Sequence, residues 1–202
     1  ANNFTIMGWV ELSAYGTVQT LCGRADSTPN NGFQVRIETT GQIGILIWNA
    51  GTANYRIVST YQSLPLNKKV HVALSWASGT VVVYFDGVSV PVSAAATGGT
   101  APTTAGTGGD FSIGRAGAYN SQYLNGYASG VGVFDAVLSA STIRSYMSQA
   151  LSGSETNCIG AWSLNNTGVN QQAAGTNDLT ATGGVSYTSG RSPYGTDSNG
   201  VS

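Results

Sequence analysis

The sequence predicts an all-β protein, an antiparallel two-sheet jelly-roll sandwich with one short helix. Apolar and polar residues alternate along many short segments, which is typical of half-buried strands. Turn-forming residues separate these segments about every 8–12 positions, as in sandwiches. Glycine makes up 28 of the 202 residues, about twice its usual share of ~7%. A chain of this length and pattern suits a single domain over residues 1–202.

The clearest strands lie in the first half of the chain. Residues 33–37 alternate between apolar and polar, so one face of this strand is expected to be buried. Residues 4–10 and 43–48 are apolar on both faces, which predicts central strands. The pair Asp86-Gly87 is a strong hairpin signal. Further strands are predicted at residues 70–76, 81–85, 88–92, 111–114, 126–134, 158–164, 178–182 and 185–188, and residues 93–109 are predicted to form a long surface loop.

One helix is predicted after residue 139. Ser139 can cap its N-terminus, because the hydroxyl can accept a hydrogen bond from a free backbone N–H. Ile143, Tyr146 and Met147 follow at helical spacing, and Gly153 is a suitable stop. These signals together place the helix between two groups of strands.

Composition excludes two classes of partner. Eight Lys and Arg oppose nine Asp and Glu, which gives a net charge of −1. A nucleic-acid binder needs a basic face, and a polybasic membrane-surface protein needs a cluster of cations. The longest apolar runs are strand-sized, far below the ~18 residues of a membrane span. We therefore expect neither nucleic-acid binding nor membrane insertion.

The two cysteines leave two alternatives open. Cys22 and Cys158 could form one disulfide that closes a very long loop, which entropic models value at about 4–5 kcal/mol before strain. They could equally be two buried free thiols. The sequence does not reveal the redox compartment, so both alternatives stand.

Several segments together resemble the laminin-G-like, concanavalin A-like jelly-roll superfamily. The segment FTIMGWV at residues 4–10 resembles the family's FTISAWV strand. Residues 64–76 resemble its LPLGqWHHVAvtw strand, and residues 79–87 resemble the hairpin that follows it. SIGR at residues 112–115 and the pieces between residues 124 and 139 continue the match in order. The resemblance covers roughly residues 1–150 and implies the fold, but it does not identify a ligand.

The end of the chain carries a second resemblance, to the family's opening strands. Residues 159–165, 175–180 and 184–187 are similar to segments that precede the FTISAWV strand in relatives, yet here they follow it. The domain could be circularly permuted, which is easiest where termini lie close together. The chain could instead be cut out of phase from a tandem array. Alternatively, residues 158–188 could complete the sandwich of a neighbouring subunit by strand exchange.

The residues argue against an enzyme. Glucanase members of the superfamily place several carboxylates on one strand, whereas Glu11, Glu38 and Glu155 lie far apart here. His71 is the single histidine, and in the resembling motif this position is a strand histidine, so we expect it to be structural. No cofactor is certain from the sequence.

The resemblance implies that calcium or carbohydrate could bind. Relatives often hold calcium at the rim of the sandwich, and the loops offer oxygen ligands that calcium prefers. Sugars stack on exposed Tyr and Trp and bond to Asn and Gln. The candidates for calcium are Asp26, Asn30 and Asp178, and those for a glycan are Tyr119, Asn120, Gln122, Tyr123 and Trp48.

The expected function is non-catalytic. A surface rich in Gly, Thr and Asn and poor in charge resembles that of phage fibres, decoration proteins and bacterial surface filaments. We therefore predict a structural subunit of a virion or extracellular surface structure, with itself or other structural subunits as partners. The alternative is a carbohydrate-binding adhesion module that recognises surface glycans. Both place the protein outside the cell, at a cell surface or on a virion.

Overall fold

A computed structural model shows two antiparallel sheets packed face to face, which confirms the predicted fold class. The structure describes residues 3–26, 31–48, 55–96, 109–116, 121–165, 168, 170–171 and 178–180. The elements are β1 (Asn3–Leu12), β2 (Gln19–Asp26), β3 (Asn31–Ile37), β4 (Gln42–Trp48), β5 (Tyr55–Ser63), β6 (Lys69–Ala77), β7 (Thr80–Phe85), β8 (Val88–Val90), β9 (Val92–Ala96), β10 (Phe111–Ile113), β11 (Gly126–Phe134), α1 (Ala140–Met147) and β12 (Cys158–Trp162). Sheet A has the order β12-β11-β1-β6-β7-β8, and sheet B has the order β10-β2-β3-β4-β5-β9.

The main hydrophobic core lies between the two sheets. β1 points Phe4, Ile6 and Val10 into it, because alternate residues of a strand share a face. The other face of β1 is buried at Thr5 and Met7 and partly exposed further along the strand. The other buried members of this core include Leu12, Val35, Ile37, Ile43, Ile45, Ile47, Val72, Leu74 and Trp76.

A second apolar cluster lies on the outer face of sheet A, beneath the helix. Met7 of β1 and Phe134 of β11 pack there with Ile143 of α1. The helix begins as predicted, since the Thr142 N–H donates to Ser139 Oγ at 3.1 Å. It ends at Met147, earlier than the predicted stop near residue 153. The helix and its flanks therefore cover one half of this face.

The Asp86-Gly87 hairpin is confirmed, but the strand after it is divided. Asp86 and Gly87 have φ values of 48° and 74°, which fit the two-residue type I′ turn between paired strands. The prediction of one strand over residues 88–92 is wrong. Two strands lie there, β8 in sheet A and β9 in sheet B, and Pro91 separates them. Proline has no N–H to donate to a ladder, which suits such a crossing. The predicted loop at 93–109 is also wrong at its start, which belongs to β9.

β12 adds to the edge of the chain's own sheet A. It pairs antiparallel with β11, and Val131 lies opposite Trp162. The Trp162 ring stacks on Phe111 of β10, with centroids 5.3 Å apart, so it links the edges of the two sheets. Residues 178–180 form no strand, which departs from the prediction for 178–182. The predicted strand at 185–188 lies outside the described residues.

The cysteines are both free, so the disulfide alternative is wrong in this structure. Cys22 lies in the core between the sheets, whereas Cys158 lies in the cluster on the outer face of sheet A. Sheet A therefore separates the two thiols. Burial raises the pKa of Cys22 to about 12, which keeps that thiol protonated and unreactive.

No helix among the described residues has the length and apolar character needed to cross a membrane.

Candidate functional site

The outer face of sheet A is open where the helix does not cover it. Met7 is under the helix, and the next outward residues along β1 are Trp9 and Glu11. Trp9 lies in register between His71 of β6 and Ser129 of β11. The three side chains share one face, because directly opposed residues of antiparallel strands point the same way.

A second row of residues continues this face toward the end of the strands. Glu11 lies between Lys69 of β6 and Tyr127 of β11. Lys69 is exposed, and Tyr127 is 40% exposed. The row therefore presents a cation, a carboxylate and a phenol side by side.

The segment after β12 forms a wall beside these rows. The Gly130 N–H donates to the Ser163 carbonyl at 3.0 Å, which holds this segment against β11. Leu164 then adopts a left-handed backbone, with φ of 55°. Leu164 and Asn165 line the space above β11 as a result.

These residues border an open cleft on the outer face of sheet A, here called the sheet A cleft. The residues that line it are Trp9, Val10, Glu11, Lys69, Tyr127, Ala128, Ser129, Leu164 and Asn165. Two aromatic rings, an amide, a hydroxyl and one group of each charge are thus brought to one place.

Trp9, which lines the cleft, packs against His71 of the neighbouring strand. The Trp9 and His71 rings meet edge to face, with centroids 5.3 Å apart. His71 is only 1% exposed. Burial lowers the pKa of His71 to about 4, although the nearby Asp86 carboxylate opposes this shift. His71 is therefore neutral at physiological pH, which agrees with the structural role expected for it.

Two ring nitrogens at this contact lack hydrogen-bond partners in the described part of the chain. They are Trp9 Nε1 and His71 Nδ1, and both atoms are buried. Buried polar groups are nearly always paired, so unpaired ones in a native structure call for an explanation. Trp9 itself lines the cleft, and His71 packs against it.

The described part of the predicted glycan loop, from residue 121 onward, lies against the outer face of sheet B. Gln122 is held there, since the Gln34 Nε2 amide donates to its Oε1 at 2.7 Å and the Thr20 N–H donates to its backbone carbonyl at 2.8 Å. Its side-chain oxygen is thus already engaged within the chain. Tyr123 beside it is 38% exposed. Their role in glycan binding stays a prediction.

Of the remaining predicted glycan residues, the structure describes Trp48, which lies in the other sheet. Trp48 ends β4, where its backbone lies opposite Gly32 of β3 in sheet B. Tyr119 and Asn120 lie outside the described residues.

Of the predicted calcium ligands, the structure describes Asp178 and the backbone of Asp26. The Asp178 carboxylate accepts a hydrogen bond from the Asn170 N–H at 2.9 Å. Asp26 ends β2 in sheet B, and Asn30 lies outside the described residues. Among the residues that the structure describes, no group of three or more His, Cys, Asp and Glu side chains could hold a metal ion. Calcium binding stays a prediction.

Sequence reasoning missed the sheet A cleft, although the sequence holds a signal for it. The outward positions of β1 and β6 carry Trp9, Glu11 and Lys69, where a covered strand would carry apolar residues. Recognising them as one site requires the pairing of β1 with β6, which the sequence does not reveal.

Comparison with known proteins agrees with this architecture. The family model of the concanavalin A-like lectin/glucanases superfamily, of the laminin G type, matches residues 1–144. The chain belongs to this superfamily. The match ends before β12, so it leaves the resemblance of residues 158–188 untested. None of the curated proteins compared with the chain matches it.

Solved structures of lectin-like proteins are similar to this member of the superfamily. A Bacteroides ovatus protein, provisionally described as a carbohydrate binding protein, has a TM-score of 0.60 and 18% identity over 86% of this chain and 50% of its own. The chain thus spans half the length of that protein. The CBM40 of Ruminococcus gnavus IT-sialidase, bound to α2,3-sialyllactose, has a TM-score of 0.56 and 16% identity over 71% of this chain and 80% of its own. The heptameric SAP-like pentraxin of Limulus polyphemus has a TM-score of 0.53 and 16% identity over 79% of each chain. At these identities the likeness shows the fold alone.

Proposed function

We propose that the protein is a non-catalytic carbohydrate-binding module and that the sheet A cleft is its binding site. The observation that carries this proposal is the cleft itself, in which Trp9 and Tyr127 stand beside Glu11, Lys69 and Asn165. Sugars pack the apolar face of their rings on aromatic side chains and exchange hydrogen bonds with polar ones. The cleft offers both kinds of contact.

The similar proteins favour this alternative over a structural assembly subunit. Two of the three solved structures described above are connected with carbohydrate binding. The pentraxin is an oligomer, but its likeness to this chain carries nothing beyond the fold. The sequence-based prediction of an assembly subunit is therefore the less supported of the two.

The composition of the cleft supports binding rather than hydrolysis. Glycosidases of the common kind use two carboxyl groups about 5–10 Å apart, one on each side of the scissile bond. Among the described residues that line the cleft, Glu11 supplies the one carboxylate. A single carboxylate can accept hydrogen bonds from sugar hydroxyls without cleaving the glycan.

Surface glycans are the partners that this function implies. Such a module acts outside the cell, at a cell surface or on a virion, where glycans are displayed. A low net charge of −1 fits a neutral or weakly charged partner better than a strongly charged one.

Removing the exposed ring from the cleft tests the proposal. The variant Tyr127→Ala takes away one face on which a sugar can pack, so we expect glycan binding to fall at least tenfold on an array and in titration. Tyr61→Ala is the matched control, since Tyr61 is 83% exposed on β5 of sheet B, away from the cleft. Unchanged binding by Tyr127→Ala, with its fold intact by circular dichroism, would contradict the proposal.

A further inference from the structure

We infer that the sheet A cleft selects uncharged sugar units and discriminates against acidic sugars such as sialic acid. This inference rests on the proposed carbohydrate binding at the cleft. It adds the chemical class of the ligand, and it names Glu11 as the residue that makes the cleft prefer neutral over acidic sugars.

The charges in the cleft cancel in a fixed arrangement. Glu11 and Lys69 are directly opposed on β1 and β6, so their Cα atoms are about 4.5–5.5 Å apart. Among the described residues that line the cleft, these two carry the only formal charges. The cleft thus has no net charge to attract an ion.

An acidic sugar would be poorly accommodated here. Its carboxylate would have to approach Lys69, and this brings it close to the carboxylate of Glu11. Proteins that hold a carboxylate tightly use a bidentate Arg fork, and among the described lining residues no Arg is present. The attraction of Lys69 for an anion is therefore offset by repulsion from its neighbour.

A neutral sugar matches the same groups well. Beside the contacts that Glu11 and Lys69 already make within the chain, a carboxylate has further lone pairs to accept from sugar hydroxyls, and an ammonium has three N–H groups to donate. The amide of Asn165 can donate and accept at the wall. The rings of Trp9 and Tyr127 offer apolar surface for the C–H face of the sugar.

The groups packed against Trp9 add no cation. His71 contacts the Trp9 ring, and Asp86 Oδ1 accepts a hydrogen bond from the His71 backbone N–H at 2.9 Å. His71 is buried, and its lowered pKa keeps it neutral. Neither group places a cation where a sugar carboxylate would lie.

Matched pairs of glycans test the inference. The full chain is presented with neutral oligosaccharides and their sialylated counterparts, including lactose and α2,3-sialyllactose, on an array and by titration. We expect the protein to bind some of the neutral oligosaccharides. For each of these, the affinity for the sialylated counterpart should be at least tenfold lower. Equal or tighter binding of the sialylated partners would overturn the inference while leaving the proposed function intact. Binding to no glycan would overturn the proposed function and the inference with it.

The variant Glu11→Gln tests whether Glu11 causes the preference for neutral over acidic glycans. The amide keeps the shape of the side chain but removes the negative charge beside Lys69. We expect neutral glycans to bind roughly tenfold more weakly, since a charge-assisted hydrogen bond becomes a neutral one, and acidic glycans to gain at least fivefold. Asp110→Asn is the charge-matched control at an exposed position outside the cleft, and it should change neither. A parallel loss for both kinds of glycan in Glu11→Gln would show that Glu11 does not discriminate.

Discussion

At the scale of single residues, His71 shows how burial controls a titratable group. The imidazole is almost fully covered, so water cannot stabilise its charged form, and its pKa falls to about 4. Asp86 acts in the opposite direction but does not cancel the effect. The single histidine of the chain thus remains neutral until the medium is strongly acidic.

His71 should therefore make the fold sensitive to acid. Above pH 6.5 both the folded and the unfolded states hold a neutral imidazole, so the group contributes nothing to pH dependence. Between pH 6.5 and about 4 the unfolded chain binds a proton that the folded chain does not, and the free energy of unfolding falls as the pH falls. The slope is up to about 1.4 kcal/mol per pH unit, and the loss levels off below pH 4.

Denaturant titrations of the wild type and of His71→Phe between pH 7 and 4 measure this contribution. Phenylalanine keeps an aromatic ring beneath Trp9 but cannot titrate, and the carboxylates are common to both proteins. We expect the wild type to lose about 3 kcal/mol more than the variant over this range, to order of magnitude. Parallel pH profiles for the two proteins would show that His71 takes up its proton equally in both states.

At the scale of elements, strands with simple alternation could be predicted and strands with irregular burial could not. β3 was predicted because apolar and polar residues alternate over residues 33–37, within the observed strand Asn31–Ile37. β2 was missed because it buries polar Gln19 and Thr20 and has a bulge between Thr20 and Cys22, so the apolar period is lost. β9 was missed because its sequence VSAAA has small side chains, which carry little strand signal.

Buried polar partners explain why the irregular strand β2 is stable. Gln19 bonds at both ends, as its Nε2 donates to the Ala14 carbonyl at 2.8 Å and its Oε1 accepts from the Asn125 N–H at 2.7 Å. Thr20 accepts a hydrogen bond from Gln34 Nε2 at 2.6 Å. Two of these contacts join residues 14 and 106 positions apart in the sequence, so only the folded chain reveals them. The same limit applies to the sheet A cleft, which depends on the pairing of three strands.

Gln122 should anchor the segment around residues 121–124 to sheet B. In Gln122→Ala the buried amide of Gln34 loses an acceptor, and alanine must adopt the left-handed backbone at φ of 55°. We expect a loss of about 1–3 kcal/mol in the free energy of unfolding by urea titration. Gln149→Ala is the control, because Gln149 is exposed after the helix, and it should change stability by less than about 0.5 kcal/mol. Equal stability of the two variants would contradict the anchoring role.

At the scale of the whole molecule, the two faces of sheet A have different tasks. Its inner face packs on sheet B and forms the main core. Its outer face is covered by the helix over one half and carries the sheet A cleft on the other. The short length of the helix therefore determines how much of the face is left for a ligand.

The placement of β12 bears on whether the domain is self-contained. Its partner β11 belongs to the same chain, and Trp162 is buried where the two sheets meet. We propose that residues 158–162 complete their own sandwich, as a permuted domain requires. Exchange with a neighbouring subunit is the competing explanation, and the native mass distinguishes the two.

A self-contained domain should have the mass of one chain and depend on β12 to fold. Light scattering should give about 20.7 kDa over a wide range of concentration. A chain that ends at residue 153 loses the strand beside β11 and the ring that stacks on Phe111, so we expect it to unfold. A chain that ends at residue 180 keeps every described element and is the control. The proposal would be contradicted if the full chain formed large polymers and the chain truncated at residue 153 were a folded monomer. β12 would then pair with the sheet of a neighbouring subunit.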